Sequence, residues 1–83
     1  MEHYFILARS VTYAQRMQRA LERVGIRCNI FRAPREMTDL GCAYAVQIEY
    51  SSLTQALIVI YRESLGPVQI FMRQRGQYRE VSV

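Results

Sequence analysis

The pattern of hydrophobic and polar positions switches between two periods along the chain. Residues 4–9 and 68–72 are short apolar runs, while residues 26–31 and 42–50 alternate apolar and polar side chains. Both patterns are typical of β-strands, because successive side chains of a strand point to opposite faces. The sequence therefore predicts four strands.

Two further segments repeat apolar side chains every three or four residues, which predicts amphipathic helices. The predicted buried stripes are Val11, Ala14, Met17, Leu21 and Val24 in the first helix, and Leu53, Ala56, Leu57, Ile60 and Tyr61 in the second. The residues placed to cap or end these helices are Ser10, Gly25, Ser51 or Ser52, and Gly66-Pro67. The predicted order is strand–helix–strand–strand–helix–strand.

Two strand–helix–strand units in this order predict an α+β fold. The expected architecture is a ferredoxin-like βαββαβ two-layer sandwich, with a four-stranded antiparallel sheet and both helices on one face. A three-layer fold is disfavoured because two helices cannot cover two sheet faces. Residues 1–83 are predicted to form one domain, with a basic, less ordered tail at about 73–83, although 78–83 could add a short strand.

The sheet face without helices is predicted to be open and apolar. Its candidate residues are Phe5, Leu7, Phe31 and Phe71, which alternate with residues assigned to the core. An exposed apolar face usually marks a binding surface, so a homodimer through this face is expected.

Composition narrows the function classes. The chain has 83 residues, a net charge of +4 and two cysteines, which are too few for a disulfide scaffold. It begins without a signal-peptide pattern and has no apolar run of about 20 residues, so a soluble cytoplasmic protein with reduced thiols is predicted. All eleven basic residues are Arg; genomic base composition explains most of this bias, although Arg also binds planar anions well.

The irregular segment at residues 33–41 ends at a cysteine and is the main candidate for chemistry. A thiol reacts as a thiolate, which forms where positive charge or backbone N–H groups surround an accessible sulfur. Arg35 and Arg32 could supply the charge, and Gly41 would let backbone N–H groups turn towards Cys42. The structural alternative is a small buried residue at a strand start, and spacing alone favours it.

Other chemistries find little support in the sequence. Cys28 lies between two isoleucines on the apolar face of a strand, so we expect it in the core. The single histidine, His3, has no partner ligands nearby, so no metal site is predicted. The chain lacks a glycine-rich phosphate loop. The third strand, at residues 44–48, lacks the aromatic pattern of RNA recognition motifs, so RNA binding is the weakest alternative.

Several short motifs together resemble the selenium/sulfur (Se/S) carrier protein-like family of small bacterial proteins. They are Ser10-Val11-Thr12 opening a helix, the 20–27 segment with Gly25-Ile26, Arg32-Ala33-Pro34-Arg35, and Gly41-Cys42-Ala43-Tyr44. The resemblance covers roughly residues 4–60. It departs from the family pattern at Ala43, where a glycine commonly follows the cysteine.

The resemblance implies that Cys42 is a carrier thiol holding sulfur or selenium as a persulfide or selenosulfide. Donor and acceptor proteins would then be its partners, and the carrier would need no cofactor and would not be an enzyme. Arg35, Arg32 and Gly41 would support the thiolate, while Tyr44 would either donate a hydrogen bond or, as we favour, pack in the core. The alternative is a ligand-sensing or protein-interaction module without thiol chemistry.

Overall fold

A computed structural model describes residues 3–38 and 43–81 of the chain. Its elements in chain order are β1 (His3–Ala8), α1 (Val11–Arg23), β2 (Cys28–Arg32), β3 (Tyr44–Glu49), a short 3-10 helix (Tyr50–Ser52), α2 (Leu53–Arg62), β4 (Gln69–Gln74) and β5 (Gln77–Val81). Neither α1 nor α2 has the length and apolar character needed to cross a membrane.

The five strands form one antiparallel sheet in the order β2-β3-β1-β4-β5. The α+β class is confirmed, and the six predicted strands and helices occur in the predicted order. The predicted four-stranded layout is not fully matched, because β5 extends the sheet beyond β4.

The fifth strand replaces much of the tail predicted at 73–83. Arg75 and Gly76 both have positive φ, 50° and 77°, which is the geometry of a two-residue hairpin turn that suits the twist of antiparallel strands. The turn folds the chain back, so that Phe71 pairs with Glu80 and Arg73 with Tyr78. A strand forms because this segment can pair with β4, although its composition is polar.

The helix ends follow the sequence in part. Ser10 caps α1 as predicted, since its hydroxyl accepts a hydrogen bond from the Tyr13 N–H at 3.3 Å. Gly25 ends α1 with φ of +84°, also as predicted. For α2, however, the residue in the left-handed region is Ser64, at φ 60°, rather than Gly66. The Leu65 N–H donates to the Ile60 carbonyl at 2.9 Å and closes this end of the helix.

Both helices pack on one face of the sheet, against a core that includes Ile6, Val46 and Ile70. The buried residues of the two helices are Ala14, Met17, Ala20 and Leu21 in α1, and Ala56, Val59 and Ile60 in α2. The predicted stripes were wrong at Val11 and Tyr61, which are 42% and 55% exposed. On α2, Val59 is buried in the core, although the prediction had placed Tyr61 there instead.

The opposite sheet face holds a second, smaller cluster of buried side chains. Phe5 and Phe71 are only 4% and 5% exposed, so the prediction that this face is open there is wrong. They pack with Ala45 and with Met37, which comes from the loop between β2 and β3. The Phe5 ring also meets the edge of Tyr78 on β5, with ring centroids 5.2 Å apart. The loop and the extra strand together cover the centre of the face that two helices could not cover.

Candidate functional site

The loop between β2 and β3 carries the candidate thiol. Residues 39–42, which include Gly41 and Cys42, lie outside the residues that the structure describes, whereas both ends of the loop are described. The Ala33 N–H donates to the Ala43 carbonyl at 3.0 Å, so the two ends of the loop meet as a continuation of the β2–β3 ladder. On the way, Met37 is buried on the sheet, and its N–H donates to the Pro34 carbonyl. The loop is therefore anchored at both ends and at its centre.

A cleft of about 400 Å³ opens where the β1 strand passes into α1. It is lined by Leu7, Ala8, Arg9, Tyr13, Met17, Ala43 and the segment 64–69. Ala43 reaches this cleft because β3 lies beside β1, with Tyr44 opposite Ala8. The residue that follows Cys42 in the chain thus forms part of the cleft wall. A cleft of this size with mostly apolar walls and a few polar groups is typical of small-molecule sites.

The main charge in the cleft wall is the Arg9 guanidinium. It lies over the Tyr13 ring with Cζ 4.2 Å from the centroid, and it also donates a hydrogen bond to the Tyr13 hydroxyl. The Arg16 guanidinium lies 5.9 Å from the same centroid on the neighbouring turn of α1. The first turn of α1 contains no acidic residue. Two cations and the amino end of a helix therefore lie close together.

Neither arginine has a carboxylate partner among the residues that the structure describes. The ion pair found there joins Arg23 to Glu63 at 3.9 Å, on the exposed surface of the helices. Both arginines therefore keep charge and hydrogen-bond donors that the described protein groups do not neutralise.

The predicted site residues occupy different places around the loop. Arg32 ends β2 directly opposite Tyr44, and its side chain is exposed. Arg35 is exposed on the turn that precedes Met37. Tyr44 is half-buried and packs against the helix-side core. The structure therefore brings Arg32 and Tyr44 together at the end of the ladder that leads to Cys42. The predictions for Cys42 and Gly41 themselves lie outside the described residues.

Arg9 and Tyr13 were not among the predicted site residues. Their spacing of four residues across the start of a helix was visible in the sequence, and such a spacing brings side chains together. What the sequence did not show was that Ala43, directly before β3, lines the same cleft as these two residues.

Ala43 is not strained in the place where the family pattern often has glycine. The described non-glycine residues with positive φ are Ser64 and Arg75, so Ala43 has an ordinary backbone conformation. Its side chain is buried in contact with the fold. The substitution of alanine for glycine therefore needs no unusual backbone geometry.

Cys28 is a core residue, as expected. It is 8% exposed and belongs to the helix-side core, with its sulfur 3.9 Å from the Gln18 carbonyl. Burial, together with the negative charge of Glu22, raises the pKa of the Cys28 thiol to about 11. At neutral pH the Cys28 thiol therefore stays protonated. Cys28 pairs with Ile48 on β3. It lies four residues along β2 from Arg32, which is a distance of about 13 Å along the strand.

A second cleft, of about 500 Å³, surrounds Cys28 and includes His3, Glu22 and Glu49. These groups do not assemble into a metal site: within residues 3–38 and 43–81, no three His, Cys, Asp or Glu side chains come together as metal ligands would.

The comparisons with known proteins agree with the motifs. A family model described as "Putative Se/S carrier protein-like" matches residues 3–72, which is most of the chain and more than the 4–60 segment that the motifs span. No curated protein and no solved structure matches the chain significantly.

Proposed function

The chain belongs to the Se/S carrier protein-like family, and on this premise we propose that it carries sulfur or selenium on Cys42 and transfers it to an acceptor protein. The chain has only two thiols that could serve. The observation that carries the proposal is that Cys28, one of these two thiols, is buried and has its pKa raised to about 11.

Cys28 is unsuited to the role because its thiol is buried and its pKa is raised to about 11. Cys28 also lines a cleft, together with Arg27, but its burial and the charge of Glu22 disfavour its thiolate. Cys42 directly precedes Ala43, which lines the cleft that Arg9 also lines. Positive charge beside an accessible thiol favours the thiolate, which is the nucleophile in sulfur exchange. The burial of Cys28 and the cation in the cleft that Ala43 lines therefore support Cys42 as the carrier.

The transfer step is a thiol–persulfide exchange without net oxidation. The Cys42 thiolate attacks the terminal sulfur of a donor persulfide, the S–S bond of the donor breaks, and the donor leaves as a thiolate. A new S–S bond on Cys42 holds the terminal sulfur together with its proton. The acceptor thiolate repeats the same exchange in the second half-reaction. A selenopersulfide donor, R–S–SeH, would follow the same route: the thiolate attacks the selenium, the S–Se bond of the donor breaks, and Cys42 holds the selenium as a selenosulfide while the donor leaves as a thiolate.

The loop residues have roles that follow from this chemistry. Arg35 and Arg32 would stabilise the Cys42 thiolate and the terminal anion, and Gly41 would shape the backbone around the sulfur. Tyr44 would act through packing, since it lies against the helix-side core. A carrier of this kind has no turnover of its own, so we propose a role as a delivery protein rather than an enzyme.

The test is intact-mass measurement after incubation with a persulfide donor or a selenopersulfide donor (R–S–SeH). The wild-type protein and Cys28→Ser should each gain one sulfur or selenium atom, and the gain should disappear on reduction with a thiol. Cys42→Ser should gain none. The proposal fails if the wild type gains no label, or if Cys28→Ser alone abolishes it. In the latter case Cys28 would have to become accessible by local unfolding.

A further inference from the structure

The cleft beside Ala43 has features that the carrier role alone does not require. A thiol that exchanges sulfur with a protein donor needs an exposed position, but not a cleft of about 400 Å³ with both apolar and polar walls. Such a volume accommodates a small organic molecule. The walls that Leu65, Pro67, Val68 and Met17 provide would contact its apolar part.

The polar groups of the cleft indicate the charge of this molecule. Arg9 is the charged side chain in its wall, and the described part of the chain offers it no carboxylate. Its hydrogen bond to Tyr13 uses one of five guanidinium donors, so the others can reach a ligand. The Tyr13 ring holds the guanidinium plane in place, which reduces the side-chain entropy that a ligand must overcome. Arg16, near the same ring, increases the positive potential.

From this arrangement we propose that the cleft binds a small organic carboxylate, with the carboxylate on Arg9 and a sulfur-bearing chain along the apolar walls towards Ala43. The ligand class is a small carboxylate-bearing perthiol, R–S–SH, and it would be the donor that loads the carrier. Cys42 would take its terminal sulfur in the exchange described above, and the donor would leave as the carboxylate-bearing thiolate. This role as donor rests on the proposed function, whereas binding in the cleft does not. A carboxylate is favoured because its planar shape matches a guanidinium fork, and because one charged residue lines an otherwise mostly apolar wall.

Binding can be tested separately from chemistry by using Cys42→Ser protein, which cannot exchange sulfur at this position. The probe is 3-(methylthio)propanoate, an unreactive thioether with one carboxylate, and its control is 3-(methylthio)propan-1-ol, which has the same chain without the charge. In an amide chemical-shift titration, we expect saturable binding of the carboxylate, with shifts centred on Ala43, Leu65 and Val68. The alcohol should bind at least about tenfold more weakly.

Matched variants assign the binding to Arg9. Arg9→Gln should weaken binding of the carboxylate about tenfold or more, and Arg9→Lys should weaken it less. Arg19→Gln removes the same charge from an exposed position on α1 outside the cleft, and it should leave the dissociation constant unchanged. Because Arg9 is exposed, its variants should fold, which far-ultraviolet circular dichroism would verify.

Several outcomes would overturn the proposal. They are equal binding of the acid and the alcohol, no saturable binding, an unchanged dissociation constant in Arg9→Gln, or tighter binding of inorganic phosphate than of the thioether acid. If the cleft does not bind the carboxylate, the proposal that a protein persulfide loads Cys42 still stands. Conversely, a wild-type protein that binds the acid but never gains sulfur would contradict the carrier function and keep the cleft as a carboxylate site.

Discussion

Arg9 is held against Tyr13 in two ways at once, by stacking over the ring and by a hydrogen bond to the hydroxyl. The two residues lie on either side of the Ser10 cap, so the start of α1 fixes their relative position. Helix capping thus connects the local sequence to the geometry of the cleft.

This relationship predicts a graded effect of substitutions at Tyr13. Tyr13→Phe keeps the ring but removes the acceptor, and Tyr13→Leu removes both contacts. We expect carboxylate binding to weaken about threefold in the first variant and about tenfold in the second, with stability changed by less than about 1 kcal/mol in Tyr13→Phe. The mobility of the Arg9 Nε–H, measured by nitrogen relaxation, should rise in the same order. If Arg9 is equally rigid in all three proteins, Tyr13 does not position it.

A second prediction concerns the effect of Cys28 on how the stability of the folded protein depends on pH. Its pKa rises from 9.0 to about 11 in the folded protein, so the folded state keeps the thiol proton in a range where the unfolded state loses it. The contribution of the Cys28 thiol to the free energy of unfolding is therefore fully present below pH 9, and it is lost as the pH rises through about 11. Its size is about 2–3 kcal/mol, since each pKa unit corresponds to 1.36 kcal/mol.

The measurement is urea unfolding of the wild type and of Cys28→Ala between about pH 8 and pH 11.5. The six tyrosines also titrate in this range. They are common to both proteins, so the difference in unfolding free energy isolates Cys28. The wild type should lose stability relative to Cys28→Ala as the pH rises. A difference that stays constant would mean that the Cys28 thiol is not desolvated in the folded protein.

Much of the fold could be predicted because its local signals agree with each other. The alternation from Tyr44 to Ile48 correctly separated the two faces of β3, and Ser10 and Gly25 correctly marked the ends of α1. The second helix was harder because its sequence from Ala56 to Tyr61 is apolar on nearly every side. Periodicity then does not identify the buried face, and contacts with the sheet and α1 decide it.

The candidate site was less predictable because it depends on contacts between distant parts of the chain. The sequence identified the loop and its cysteine, but Ala43 and Arg9 share a cleft only because β3 lies beside β1. Similarly, Met37 reads as an ordinary loop residue, and its burial follows from an apolar sheet face that needs a cover. Strand order and loop docking of this kind leave no periodic signal in the sequence.

Met37 should be a main stabilising contact of the loop. Met37→Ala removes a side chain buried against Phe5 and Phe71, and we expect a loss of about 2 kcal/mol in urea unfolding. Met37→Leu keeps the volume and should cost less than about 1.5 kcal/mol. The alanine variant should also bind a hydrophobic dye more strongly, because the second face becomes exposed. Equal stability of the alanine variant and the wild type would show that the loop does not dock there.

The last prediction concerns Ala43, the residue that follows the proposed carrier thiol Cys42. Ala43 has an ordinary φ and a buried side chain in the cleft wall, so glycine is not required at this position. Ala43→Gly should therefore cost about 1 kcal/mol of stability and leave the rate of sulfur loading on Cys42 within about twofold. Ala43→Val should instead narrow the cleft and slow loading from a small perthiol more than from a protein persulfide. The rates can be compared by intact mass over time. Loading that is tenfold faster in Ala43→Gly would show that the alanine restricts the thiol after all.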